Sequence, residues 1–209
     1  MIRLNLRAFS AFALGLGSVT LLLAGCSATA GSEDSIGQTQ EAICSSLTPA
    51  QTKILKFEDA TQWTGSFATL ANDTANKTEG TQSVSLTPTS GYATITSATL
   101  TTIPLTGRNV TVDVRPPNPP GNPAWYGNVT AYLEAPSKGL NSFSVNLGYQ
   151  QITVAAPGTF QTLHFEIPHD AYNALTLNGG YSDLRIRFAV SLPEGSTYDF
   201  DNVTFDICL

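Results

Sequence analysis

Between residues 109 and 115 the chain reads Asn-Val-Thr-Val-Asp-Val-Arg, with apolar and polar side chains changing places at every step. A period of two puts Val110, Val112 and Val114 on one side of an extended strand, whereas a helix would scatter them around its axis. The same alternation returns in Val129, Ala131, Leu133 and Ala135, and again in Leu184, Ile186, Phe188 and Val190. Helical periodicity is nearly absent; only His169 to Leu175 suggests a single helical turn. Strands are expected at Lys53 to Glu58, Ser66 to Leu70, Gln82 to Leu86, Tyr92 to Ser97, Asn109 to Arg115, Asn128 to Ala135, Asn141 to Leu147, Gln151 to Val154, Gln161 to Ile167, Asp183 to Ser191 and Tyr198 to Phe205. So many short strands in one domain imply an all-β fold of two packed antiparallel sheets, each strand turning one apolar face to a common core.

Such strands need polar outer faces, and here hydroxyls supply them. Charged residues make up 12% of the chain, while 27 Thr and 18 Ser are present; average proteins carry roughly 25% charged residues. That surface suits a protein outside the cytoplasm, and the amino terminus agrees. Arg3 and Arg7 precede an apolar run from Ala8 to Leu23 that is broken only by Ser10, Gly15, Gly17, Ser18 and Thr20, the pattern of a secretory signal over residues 1–25. The run closes on Leu23-Ala24-Gly25-Cys26, which resembles the lipobox of bacterial lipoproteins. The resemblance implies cleavage before Cys26 and acylation of Cys26, so the protein meets the membrane through lipid alone. Ser27 rather than Asp follows, which in the same sorting pattern implies the outer membrane. The alternative is an ordinary secretory signal whose apolar region happens to end in cysteine.

Residues 26–43 hold almost nothing to bury and read as a flexible tether, leaving residues 44–209 as the folded domain. Removing Arg3 and Arg7 leaves 8 basic against 16 acidic residues, 8 − 16 = −8. Phosphate backbones need clustered Lys and Arg, and only Arg185 and Arg187 form a close pair, so nucleic acid is excluded as a partner. With Cys26 committed to lipid, Cys44 and Cys208 remain at the two ends of the domain. In an exported chain their pairing is the default. It would close a loop of about 165 residues, for which loop-closure entropy gives roughly 5 kcal/mol as an upper figure, and it would make the first and last strands neighbours. Two free thiols are the alternative.

Two loops carry candidate chemistry. Arg115 to Gly127 contains Pro116, Pro117, Pro119, Pro120 and Pro123 ahead of Trp125 and Tyr126, a stiff exposed connection with two aromatics at its tip. Ala71 to Thr81 holds Asn72, Asp73, Asn76, Lys77, Glu79 and Gly80, a turn-rich link with oxygen ligands suited to a hard cation.

Phe57-Glu58, Trp63, Glu79-Gly80 followed by Ser83-Val84-Ser85-Leu86, and the terminal run Tyr198-Asp199-Phe200-Asp201-Asn202-Val203-Thr204-Phe205 together resemble the jelly-roll, galactose-binding-like carbohydrate-binding modules of secreted bacterial proteins. The middle of the chain, with Ala135-Pro136-Ser137, Thr162-Leu163-His164-Phe165 and Ile167-Pro168, is similar to that family's inner strands. The resemblance implies a jelly-roll β-sandwich, a glycan ligand and a structural calcium ion, with Glu58, Asp201 and the stretch around Glu79 as its ligands. One point stands on physics alone. Alternation puts Asp201 on the face of Val203 and Phe205, so either that face points inward or the strand is irregular. A carboxylate at the edge of an apolar core must be paired or metal-bound. A salt bridge to Lys53, Lys56 or Arg108, or simple exposure, is the alternative to calcium.

Sugar binding requires an aromatic face for the C–H side of a ring and polar groups for its hydroxyls. Trp125 and Tyr126 offer the first. For the second, polar strand positions hold Asp113 and Arg115, Tyr132 and Glu134, His164 and Glu166, and Arg185 and Arg187. The expected glycan contacts are Trp125, Tyr126, Tyr132, Glu134 and Arg187, in a monomer that binds without catalysis. An enzyme would need an acid and base pair such as Glu134 and Glu166, or His164, His169 and Asp170 as base and orienter. No nucleophile elbow, paired-His metal motif or glycine-rich phosphate loop is present. A surface adhesion or assembly lipoprotein that contacts another protein is the third class, since fold does not fix function.

Overall fold

The computed structural model describes residues 53–55, 57–100, 105, 107–119, 122, 124–153, 157–177 and 180–206. Eleven strands follow in chain order: β1 (Lys53–Leu55), β2 (Trp63–Ser66), β3 (Ala68–Asp73), β4 (Ser83–Pro88), β5 (Tyr92–Ser97), β6 (Asn109–Arg115), β7 (Asn128–Ala135), β8 (Leu140–Gln151), β9 (Gln161–Glu166), β10 (Arg185–Ser191) and β11 (Tyr198–Asp206). They form two antiparallel sheets. Sheet A runs β3-β4-β11-β6-β9, with β1 also paired to β11, and sheet B runs β2-β5-β10-β7-β8. The expected two-sheet sandwich is the observed one. Cys26, Cys44 and Cys208 lie outside the described residues, but the first and last described strands are neighbours, Lys53 opposite Thr204.

The alternation that defines β6, β7 and β10 builds the core. Val110, Val112 and Val114 of sheet A face Val129, Ala131, Leu133, Ile186, Phe188 and Val190 of sheet B in one apolar cluster, all fully buried. Aromatic rings thread through it: Phe57 stacks on Trp63 at 4.0 Å, and Phe200, Phe188 and Phe165 follow at centroid spacings of 6.3 Å. Trp63 is therefore core rather than platform. The suggested helical turn is α1 (His169–Thr176), which buries Ala171 and Leu175, four positions apart on one face. Among the described residues no helix is long and apolar enough to cross a membrane.

Three departures from simple alternation shape the outer surfaces, and each sits at a side-chain-bearing residue with positive φ. At Phe67 (φ 57) the strand expected over Ser66 to Leu70 splits, and the chain passes from β2 in sheet B to β3 in sheet A. At Ser142 and Phe143 (φ 55 and 52) the register of β7 against β8 shifts. The strand expected at Asn141 to Leu147 continues through Gly148 (φ 100) to Gln151; the separate strand expected at Gln151 to Val154 does not form, Ile152 and Thr153 lying beyond the end of β8 and Val154 outside the described residues. At Asn202 (φ 48) the register of β11 against β6 shifts between Asp201 and Thr204. One extra residue there turns Asp201 outward while Val203 and Phe205 stay in the core, as a β-bulge does. Irregularity is thus the answer to the Asp201 problem.

Candidate functional site

The polar residues expected to make one binding face lie on two. Asp113 and Arg115 (β6) and His164 and Glu166 (β9) belong to sheet A; Tyr132 and Glu134 (β7) and Arg185 and Arg187 (β10) belong to sheet B. The core separates the two sets. Glu134 and Glu166, the acid and base pair an enzyme would need, are accordingly in different sheets. Each has its own arginine, Arg185 for Glu134 and Arg108 for Glu166.

The outer face of sheet A is closed. Asp113, Asp199 and Asp201 point outward but are only 7%, 2% and 1% exposed; the loop after β3 reaches Asp113 and Asp201 through Thr78 and Glu79, and Asp199 is held by Ser85 and Arg115 of the neighbouring strands. Asp201 Oδ2 accepts from the Thr78 amide at 2.6 Å, the Thr78 hydroxyl at 2.9 Å and the Glu79 amide at 3.1 Å, and Oδ1 accepts from the Asn202 amide at 2.8 Å. Asp113 accepts from Thr162 at 2.6 Å, from Thr78 at 2.9 Å and from the Asn202 side-chain amide at 3.2 Å. Asp199 accepts from Ser85 at 2.6 Å and from Arg115 at 2.8 Å. Burial nevertheless holds the Asp199 carboxyl above the usual carboxylate range, with the charge of Asp73 adding to it. For Asp73 burial also pushes upward, but donors from the Asn76 side chain and from the Ala75 and Asn76 amides outweigh it, and its carboxyl sits below that range.

Glu58, Glu79 and Asp201 come together around this loop. Both Glu58 oxygens accept from the Thr81 amide at 3.0 Å. Gly80, at φ 68, lies so close to them that a Cβ would collide with the carboxylate, so both backbone geometry and space require glycine. Calcium takes six to eight oxygens. Here the Asp201 and Glu58 oxygens are aimed at N–H and O–H hydrogens, and among the described residues no group of three or more His, Cys, Asp or Glu is placed to hold a metal ion. As placed, the three residues do not fit the ion.

The outer face of sheet B is open, and the strand register maps it. Pairing aligns Tyr92, Ser191, Asn128 and Gln151 in one row, then Thr94, Ala189, Thr130 and Tyr149. Thr96, Arg187, Tyr132 and Asn146 form the next, followed by Arg185 and Glu134. The middle of the second row is short side chains, Thr94, Ala189 and Thr130, the first two buried (8% and 5% exposed) at the bottom of the face, and around this floor stand Tyr92 (50% exposed), Tyr149 (56% exposed), Tyr132 and Arg187. At about 3.4 Å per residue, the span from Tyr92 to Thr96 is about 13 Å. The result is a trough with phenol walls, hydroxyls in its floor and a guanidinium at one end.

Of the expected glycan contacts, Tyr132 and Arg187 sit side by side in this trough. Glu134 does not line it: at 3% exposure it is held by Arg185 and accepts from the Phe143 amide at 3.2 Å. Tyr126 is 4% exposed and packs in the core, its carbonyl accepting from the Tyr198 hydroxyl at 2.7 Å. Burial, with Tyr126 close by, pushes the Tyr198 phenol well above the usual tyrosine range. The two adjacent aromatics therefore do not form a double platform; Trp125 alone is exposed (39%), just before β7, at the sheet end where Tyr92 stands. Sequence reasoning missed Tyr92, Tyr149 and Phe143. Tyr92 was legible, since alternation with Ala93 and Ile95 turns it outward. Phe143 was not, because regular alternation groups it with Val145 and Leu147. The local positive φ instead brings it beneath Arg187, whose guanidinium carbon stands 3.7 Å from the ring centroid.

No family model matches the chain, and no curated protein matches it. Among solved structures, the chain is similar to the C-terminal family 22 carbohydrate-binding module of Clostridium thermocellum Xyn10B. The identity is 12% over 75% of this chain and 95% of that one, with a TM-score of 0.49. It is also similar to a carbohydrate-binding module of the β-sandwich superfamily, 20% identical over 72% of this chain and 60% of that one, TM-score 0.48. A third is TmCBM27, a module studied for mannan recognition, 15% identical over 72% of this chain and 92% of that one, TM-score 0.45.

Proposed function

We propose that the domain binds a glycan, without altering it, in the trough on the outer face of sheet B. The carrying observation is the register map: three tyrosines and an arginine surround a floor of Thr94, Ala189 and Thr130 on one side of five strands. Pyranose rings bind where an aromatic face meets their C–H side and fixed polar groups meet their hydroxyls, and this face supplies both. The other outer face offers no comparable surface, because its carboxylates are spent on internal donors. Catalysis is not part of the reading, since among the described residues Glu134, the carboxylate nearest the trough, is buried beside it and committed to Arg185. A glycan array probed with the full chain in detergent tests it. Binding to a defined set of oligosaccharides, weakened in Tyr132→Ala, is expected; release of shortened products would make it an enzyme, and capture of protein alone an adhesin.

The proposal extends to the protein's setting. Cys26 is the lipid attachment site, residues 26–43 the tether, and the outer membrane the location of a monomer. Replacing Cys26 with Ser should move the protein out of the detergent phase, and a variant that still partitions with membranes overturns the anchor. Pairing of Cys44 with Cys208 is supported by the adjacency of β1 and β11, and mass spectrometry finding both thiols free in protein from the native envelope overturns it. Calcium at Glu58, Glu79 and Asp201 rests on the family resemblance alone and requires Asp201 to exchange loop donors for the ion.

A further inference from the structure

Arg185 and Arg187 stand two residues apart on the same side of β10, yet their surroundings differ. Arg185 is neutralised by Glu134. Arg187 has no carboxylate partner among the described residues; its Nε donates to the Thr96 hydroxyl at 3.1 Å, and its guanidinium lies flat against the Phe143 ring. The Phe143 backbone is held by its amide donating to the Glu134 carboxylate, and its ring is buried (9% exposed) beneath Arg185 and Arg187. Stacking and the Nε bond together orient the group and leave both terminal nitrogens, the edge that grips a carboxylate with two parallel hydrogen bonds, without a partner among the described residues.

We propose that Arg187 makes the trough specific for acidic sugars, its terminal nitrogens taking the carboxylate of a uronic acid while Tyr132 and the Thr94, Ala189 and Thr130 floor hold the ring and its neighbours. This deepens the glycan reading and rests on it. A partly buried guanidinium without a carboxylate partner carries a desolvation cost, and a neutral sugar, offering only hydroxyl acceptors, offsets less of that cost than an anion does. Hydrogen bonds between charged partners are roughly twice as strong as neutral ones. Burial of the guanidinium lowers its pKa from the ordinary arginine value, Tyr92 opposing the shift and Arg185 adding to it; an arginine stays cationic throughout.

The test is calorimetric titration of the full chain in detergent with oligosaccharides of galacturonate, glucuronate, mannuronate and guluronate. Each is paired with the same oligosaccharide after reduction of its carboxyl groups to alcohols. At least one acidic member should bind tenfold or more tighter than its reduced counterpart. Arg187→Gln should erase that preference without lowering the melting temperature, and Arg187→Lys, which keeps charge but not the fork, should retain part of it. Equal affinity for acidic and reduced partners, or a preference that survives in Arg187→Gln, overturns the acidic specificity and leaves the glycan reading standing. Failure of every acidic, reduced and neutral oligosaccharide to bind removes both.

Discussion

The two outer faces of the sandwich are built from the same kind of strand and have opposite fates. On sheet A the outward positions carry Asp113, Asp199 and Asp201, and donors from the loop after β3 and from neighbouring strands meet their oxygens. On sheet B the outward positions carry threonines, tyrosines and Arg187, with Tyr92 and Tyr149 half exposed. A buried carboxylate needs partners and recruits backbone to supply them; hydroxyls and phenols tolerate water and leave the face free. One sheet thus uses its polar residues to hold the fold together, and the other presents them.

That contrast is sharpest in paired substitutions. The largest expected effect is Asp201→Ala, which strands the Thr78, Glu79 and Asn202 donors. Each buried group left unsatisfied costs about 1–3 kcal/mol, so thermal denaturation should show a loss of several kcal/mol, with glycan affinity per folded molecule unaltered. The same experiment reads on calcium: if Asp201 is held by loop donors, chelator leaves the melting temperature of the wild type unchanged. If calcium is shared with Glu58, chelation lowers it and Asp201→Ala abolishes that sensitivity.

Tyr132→Ala should do the reverse. Aromatic contacts of this kind are worth about 1 kcal/mol or more, so binding should weaken about fivefold to tenfold while the melting temperature barely moves, as for other exposed sites. A large fall in stability would make Tyr132 part of the framework. Trp125→Ala sits at the edge of the trough and should weaken binding by up to about 1 kcal/mol, again without unfolding. Its neighbour is the control, since Tyr126→Ala removes a core ring and should cost about 3–5 kcal/mol of stability.

The smallest effect concerns pH. Because the Asp199 carboxyl is held above its unfolded value, the native state takes up its proton more readily than the unfolded chain. Its contribution is therefore fully present below the unfolded pKa and is lost as pH rises through the folded one. Melting temperatures across the weakly acid range should show that gain on acidification in the wild type and not in Asp199→Asn. An identical pH profile in both proteins would contradict it.

Much of the sandwich framework was legible in the sequence. β5, β6 and β7 have the expected limits, because strict alternation fixes both the conformation and the inward face. Asp201 announced its own difficulty, and the bulge at Asn202 resolves it. What alternation cannot tell is which sheet a strand joins, a matter of long-range pairing, so Asp113 and Arg187 read as one surface although the core divides them. Residues at positive φ were equally silent: nothing in the letters around Phe67 marks a sheet-switching corner, and nothing around Phe143 turns it from core to floor. Exposure misled at Tyr126, where a proline-rich loop suggested a tip and the ring instead entered the core.

The division between faces is tested most directly by amide chemical-shift mapping of the isotope-labelled protein, titrated with the oligosaccharide that binds it best. Shifts should concentrate at Tyr92, Thr94, Thr130, Tyr132, Asn146 and Arg187 and leave Thr78, Asp113, Asp199 and Asp201 unmoved. Shifts centred on the Thr78 loop and β6, with the sheet B row silent, would contradict the assignment of binding to the open face.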